Sequence, residues 1–183
     1  TRWATSIPRA RLTSSPHRGT TDTMTLLALD LGSSSIKGTL LTGDPRQVTD
    51  VVSEPCPAPL PGLPPGHFEL DPQQVVAATR RVIERLLERG AAPDALVSCG
   101  QMGGVILVDE RGAARSNYLS WRDQRTLAPH PAGRGSYFDR LRQSLSDDDW
   151  RTLGREVQPG SALGLLEWLA ERGQLPVERV GPV

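Results

Sequence analysis

Cysteine is scarce in this 183-residue chain: Cys56 and Cys99 stand far apart, neither belongs to a CxxC pair, and no histidine lies near either in sequence. That excludes a disulfide framework and a thiolate zinc site, and it fits a reducing, cytoplasmic setting. Net charge is lacking too, because 21 Lys plus Arg balance 21 Asp plus Glu. No global basic field draws the chain to nucleic acid or to an anionic membrane. No apolar run approaches the roughly 18 residues of a membrane-crossing helix, so the expected partners are small molecules. Aromatic residues make up only 4% of the chain, yet 37% hydrophobic content is enough for one ordinary core or for a part of something larger. Two nucleotide signatures are also missing: there is no GxGxxG, and Lys37 precedes Gly38 instead of following a glycine at a helix start as a P-loop requires.

What is present is concentrated in the stretch MTLLALDLGSSSIKGTLL, Met24 to Leu41. Thr25 to Leu29 is a continuous apolar run of the buried-strand kind, and it delivers Asp30 to the strand end. Gly32 and three serines form a tight polar turn. Beyond it Ser33, Ser35, Lys37 and Thr39 share one parity while Ile36, Gly38 and Leu40 share the other, so a strand places hydroxyls and an ammonium on one face. Backbone N–H groups and serine hydroxyls suit phosphate oxygens, and the Asp30 carboxylate suits Mg²⁺ or its waters. Local spacing fits equally an ordinary hairpin whose turn uses Gly and Ser for its geometry.

The rest of the chain reads as alternating α and β. Residues 1–23 carry Arg2, Arg9, Arg11 and Arg18 against a single acid, Asp22, and read as an unstructured extension, either a gene-start artefact ahead of Met24 or a leader. Val48–Val52 is a third strand after the turn Gly43-Asp44-Pro45. The prolines between Pro55 and Pro65 enforce a surface loop. Asp71-Pro72 starts a helix, with Asp71 as cap, Gln74 placed as in a capping box, an apolar stripe from Val75 to Leu87 and Gly90 as stop. Ala95–Ser98 and Val105–Val108 read as strands around Cys99-Gly100-Gln101-Met102-Gly103-Gly104, whose glycines let the backbone approach a ligand. Short helices are expected between Arg134 and Gly154, one starting near Ser146, and a last helix from Ser161 to Arg172. Cys99 reads as a small buried side chain, and His17, His67 and His130 as surface residues. Asp123 and Arg125 form an internal ion pair or meet a substrate.

Four segments in order resemble the FGGY carbohydrate kinases, of the actin-like, ribonuclease-H-like ATPase superfamily. Leu29 to Lys37 is similar to the family's first phosphate motif, and Phe68-Glu69-Leu70-Asp71-Pro72 to its Glu-x-Asp-Pro helix start. Ser98-Cys99-Gly100-Gln101-Met102 resembles its Ser-x-x-Gln-Met segment, and Trp121 to Arg125 its Trp-x-Asp-x-Arg; the flavour is xylulokinase-like. The resemblance implies an α/β fold, a mixed sheet with flanking helices, and transfer of the ATP γ-phosphoryl group to a hydroxyl of a sugar or polyol. It implies that Asp30 is the Mg²⁺-linked acid and supports catalysis, that Gly32, Ser33, Ser34, Ser35 and Lys37 meet the ATP phosphates, and that Gln101, Met102, Gly103, Trp121 and Asp123 border the sugar. The xylulokinase-like pattern has His after Gln-Met, where this sequence has Gly103. The family's catalytic aspartate lies downstream of Val183, so residues 24–183 read as an incomplete first domain, inactive alone, whose partner is the carboxy-terminal domain of the same kinase; a homodimer is compatible. The rival readings are a non-catalytic sugar-binding or regulatory module of the same fold and a sugar-independent actin-like ATPase.

Overall fold

The computed structural model describes residues 24–43, 47–89, 92–133, 135–154 and 157–175. The apolar run after Met24 becomes β1 (Leu26–Leu31), which turns back through Gly32 into β2 (Ser35–Thr42), and β3 (Gln47–Pro55) follows antiparallel. β5 (Ala95–Gly100) then lies parallel to β1, giving the sheet order β3-β2-β1-β5. The parity read from the sequence holds: Ile36, Gly38 and Leu40 are buried while Lys37 is exposed.

The crossover from β3 to β5 carries α1 (Pro72–Leu87), which covers one face of the sheet. The Asp71 carboxylate accepts from the Gln73 N–H at 2.8 Å, one residue earlier than the Gln74 position a capping box uses. Ala78, Val82 and Leu86 pack on Leu27, Leu29, Ile36, Leu40 and Val52 as the first core. Gly38 permits the close approach, since a Cβ there would lie 2.7 Å from Val82 and 2.8 Å from Leu86. At the far side of the helix Arg81 and Arg85 clamp the buried Glu54 of β3, at 3.1 and 2.6 Å.

A second core joins Val105, Leu119, Tyr137, Leu165, Trp168 and Leu169. It is built from a two-strand ladder, β4 (Glu69–Leu70) with β6 (Tyr118–Leu119), and from α2 (Tyr137–Ser144), α3 (Asp147–Thr152) and α4 (Ala162–Glu171). Ser136, Ser146 and Ser161 cap these three helices, the first two in full capping boxes with Asp139 and Asp149. The expected strand Val105–Val108 is instead two isolated bridges, Val105 to Leu119 and Val108 to Ala114. The Ser116 hydroxyl takes the Leu107 N–H at 2.9 Å and interrupts the ladder.

Three further readings are corrected. Cys99 is exposed, because β5 is the sheet's edge strand and all six of its residues are exposed. His130 is a packed residue, edge-on to Tyr137 with Nε2 2.5 Å from Glu171. His67 is partly buried against Trp168. Burial, then the Arg125 charge, lower its pKa below the usual histidine value. Residues 1–23 with His17, the turn residues Asp44 and Pro45, and Gly90 lie outside the described residues.

Candidate functional site

The turn between β1 and β2 is closed by the Gly32 N–H donating to the Ser35 carbonyl at 3.1 Å. A Cβ on Gly32 would lie 2.8 Å from that same oxygen, so the turn requires glycine. The Ser34 carbonyl accepts from the Cys56 N–H at 3.0 Å, which pins the turn to the chain leaving β3. The Gly32 N–H is engaged in closing the turn, and the donors left to it are the Ser33 and Ser34 N–H groups and the hydroxyls of Ser33, Ser34 and Ser35, for which no protein partner is found among the described residues. Asp30 is exposed at the end of β1, directly across from Lys37 on β2. On its other side the parallel register places Cys99, whose thiol donates to the Asp30 carboxylate at 3.5 Å. That hydrogen bond, with a smaller desolvation contribution, raises the Cys99 pKa.

The chain leaving β5 stays beside β1, with the Gln101 N–H donating to the Leu31 carbonyl at 3.2 Å. Gln101 is thereby one strand over from the serine turn. Its side-chain oxygen accepts from the Trp121 indole N–H at 2.9 Å. Trp121 is 45% exposed, and Met102, at 84%, extends almost wholly into solvent. Gly103 has φ +87° and lies under Trp121: a Cβ there would come 2.9 Å from the Trp121 Cβ. A cavity of about 470 Å³ opens next to these residues, lined by Leu31, Val75, Val76, Gln101, Ile106 and Tyr118 among others. Tyr118 hydrogen-bonds the Gly103 carbonyl at 3.4 Å, and burial raises its pKa.

Asp123 stands apart from this opening. It is 0% exposed and accepts from the Phe68 N–H at 2.7 Å, from the Arg125 N–H and Nε at 2.9 Å each, and from Arg125 Nη2 at 2.8 Å. Glu69 accepts from the same Nη2 at 2.5 Å. Burial alone would lower the Arg125 pKa, but the hydrogen bonds and charges of Asp123 and Glu69 together raise it. The internal ion pair weighed in the sequence is therefore formed. It ties the loop carrying Trp121 to the start of α1 through β4.

Among the described residues no group of three or more His, Cys, Asp or Glu side chains is gathered to hold a metal. One carboxylate beside free hydroxyls is a donor set for Mg²⁺ shared with phosphate and water, not for an all-protein cage. Gly160 is the contributor the motifs did not single out as a site residue. A Cβ there would lie 1.8 Å from the Trp121 carbonyl, and only the fold reveals that approach.

No family model matches the chain. Over 104 residues it is 32% identical to a xylulose kinase of Staphylococcus epidermidis, which covers 55% of this chain and 20% of that protein. The chain is similar to xylulose kinases. The xylulose kinase structure from Brucella ovis superposes with a TM-score of 0.66 at 25% identity, covering 81% of this chain and 30% of that one. A gluconate kinase structure from Lactobacillus acidophilus gives a TM-score of 0.63 at 17% identity over 82% of this chain and 29% of that one. The fold is accordingly that of the actin-like sugar kinases, a mixed sheet with flanking helices, and the chain spans about a fifth of the curated relatives it matches.

Proposed function

We propose that this xylulokinase-like chain is the phosphate- and sugar-binding part of a carbohydrate kinase that transfers the γ-phosphoryl group of ATP to a sugar or polyol hydroxyl. The observation that carries the reading is one juxtaposition. A serine turn with free hydroxyls and the exposed Asp30 lies one strand from the Gln101–Trp121 pair, in a chain similar to xylulose kinases. Ser33, Ser34, Ser35 and Lys37 supply donors and positive charge to phosphate oxygens, with the Gly32 turn shaping the cradle. Asp30 would hold Mg²⁺ or its waters, and the ion would neutralise charge on the transferring phosphoryl group. The Trp121 ring and Met102 meet sugar C–H groups, Gln101 and the Gly103 backbone meet its oxygens, and Asp123 acts through Arg125 to hold that loop in place.

The match spans about a fifth of the xylulose kinases concerned, and the base that accepts the hydroxyl proton and the adenine side are assigned to the remainder of such a kinase. Two free thiols fit a reducing, cytoplasmic setting. The test is ADP release by the full product of the gene encoding this chain, with Mg-ATP and a panel of ketoses, polyols and sugar acids. Release that depends on one class of sugar is expected. ATP hydrolysis indifferent to every sugar would overturn the reading in favour of a plain ATPase.

A further inference from the structure

The hydrogen bond between Trp121 and Gln101 carries information beyond its geometry. An indole N–H can only donate, so the Gln101 atom facing it at 2.9 Å is the amide oxygen. The amide NH₂ is then turned away from Trp121, and among the described residues it meets no protein acceptor. Gln101 is half-buried at the mouth of the 470 Å³ cavity, and Tyr118 closes the same side through the Gly103 carbonyl.

Trp121 reaches this position only because the backbone leaves room for it. Gly103, at φ +87°, would bring a Cβ within 2.9 Å of the Trp121 Cβ, and Gly160 would bring one within 1.8 Å of its carbonyl oxygen. The Gly104 N–H donates to the Gly160 carbonyl at 3.2 Å and locks the two glycine segments together against the backbone and Cβ of Trp121. A side chain at 103 is therefore disfavoured twice, by its left-handed backbone and by contact with Trp121. The position that carries His in the xylulokinase-like pattern is here packed against the Cβ of Trp121.

We propose that Trp121, seated between Gly103 and Gly160, is a positioning residue that fixes the polarity of Gln101, so that the pocket offers an outward pair of N–H donors and recognises a substrate oxygen as acceptor. The inference rests on the sugar-kinase reading for the identity of that substrate, but not for the polarity. A ketose carbonyl or a sugar hydroxyl oxygen satisfies the donors; an ammonium substituent at the same position meets only N–H groups and is rejected.

The experiment uses the ¹⁵N-labelled full product of the gene encoding this chain, with NMR of the Trp121 indole and Gln101 side-chain resonances, and affinity titrations with D-xylulose, glycerol and D-gluconate. Without any sugar, Gln101→Leu shifts the indole proton upfield, while Gln101→Glu, which keeps an acceptor oxygen, leaves it downfield. With sugar, Gln101→Glu weakens binding at least tenfold. Trp121→Phe keeps a ring but frees the amide, and weakens binding several-fold while moving the Gln101 NH₂ resonances. An indole proton that does not move in Gln101→Leu overturns the polarity claim without touching the kinase reading. A wild type that binds one of these sugars, but no better than Gln101→Glu does, overturns the claim as well. A wild type that binds none of the three sugars, with the indole behaving as stated, overturns the sugar reading and with it the substrate part of the inference.

Discussion

Removing the Asp123 carboxylate is the perturbation whose size the structure defines best. Asp123→Ala deprives Arg125 of its hydrogen bonds to Nε and Nη2 and leaves the Phe68 N–H without its acceptor, all in a region where Asp123 is 0% exposed. Breaking a buried pair from one side costs about 3–5 kcal/mol, because the remaining charge has neither water nor partner. Glu69 keeps one contact to the guanidinium, so the lower part of that range, about 3 kcal/mol, is expected. For a chain of this size that corresponds to a fall in Tm of very roughly 10 °C. Urea unfolding followed by far-UV circular dichroism and by tryptophan fluorescence measures it, since Arg125 lies over the Trp168 ring at 5.0 Å. The double variant Asp123→Leu with Arg125→Met removes both charges and is expected to be less destabilised than the sum of the two single changes by about 1–3 kcal/mol. An Asp123→Ala chain within 1 kcal/mol of wild type by this measure, with additive singles, would refute the structural role and return Asp123 to the set of direct sugar contacts.

Other outcomes follow from the same geometry. Gly38→Ala sets a methyl 2.7–2.8 Å from Val82 and Leu86, and overpacking of about 1–3 kcal/mol outweighs the ~0.4–1 kcal/mol gained from a stiffer unfolded chain, lowering the urea midpoint. Cys99 is exposed but reacts with iodoacetamide more slowly than a free thiol at pH 8, because the hydrogen bond it donates to the Asp30 carboxylate keeps the proton on sulfur; Asp30→Asn accelerates the reaction, and an unchanged rate contradicts that link. Hydrogen bonds from the Ser136 N–H and hydroxyl hold the Asp139 pKa below its ordinary 3.8, so the α2 cap contributes fully above that value and is lost as pH falls through the depressed one. Thermal melts of wild type and Ser136→Ala should therefore differ near neutrality and converge at strongly acid pH.

The opening hairpin, its parity, the Asp71 start of α1 and the Ser146 and Ser161 starts of α3 and α4 were legible because each rests on local periodicity or capping chemistry. Turn glycines were legible as turns. Their steric partners were not: nothing near Gly160 in sequence announces Trp121, and nothing near Gly38 announces Val82 and Leu86. Cys99 looked buried because ALVSCG has the composition of a central strand, while its exposure is decided by β5 being the edge of the described sheet. His130 looked like a loop residue until α4 brought Glu171 to it from 41 positions away. The β4–β6 ladder is two residues per strand, too short for any period to show. The candidate site was readable as motifs, and what only the fold added is how they meet: Asp30 beside Cys99, Gln101 under Trp121, and Asp123 turned inward.

The central claim is that the Asp30–Ser35 turn serves phosphoryl transfer to a sugar. The most direct measurement is sugar-dependent ADP release by the full gene product, compared between wild type and Asp30→Asn, with melting curves run on both. The account predicts release in the wild type and a loss of at least a hundredfold in kcat for Asp30→Asn at an unchanged Tm, since Asp30 is exposed and makes no ion pair among the described residues. An Asp30→Asn enzyme that turns over its sugar as fast as wild type would contradict it.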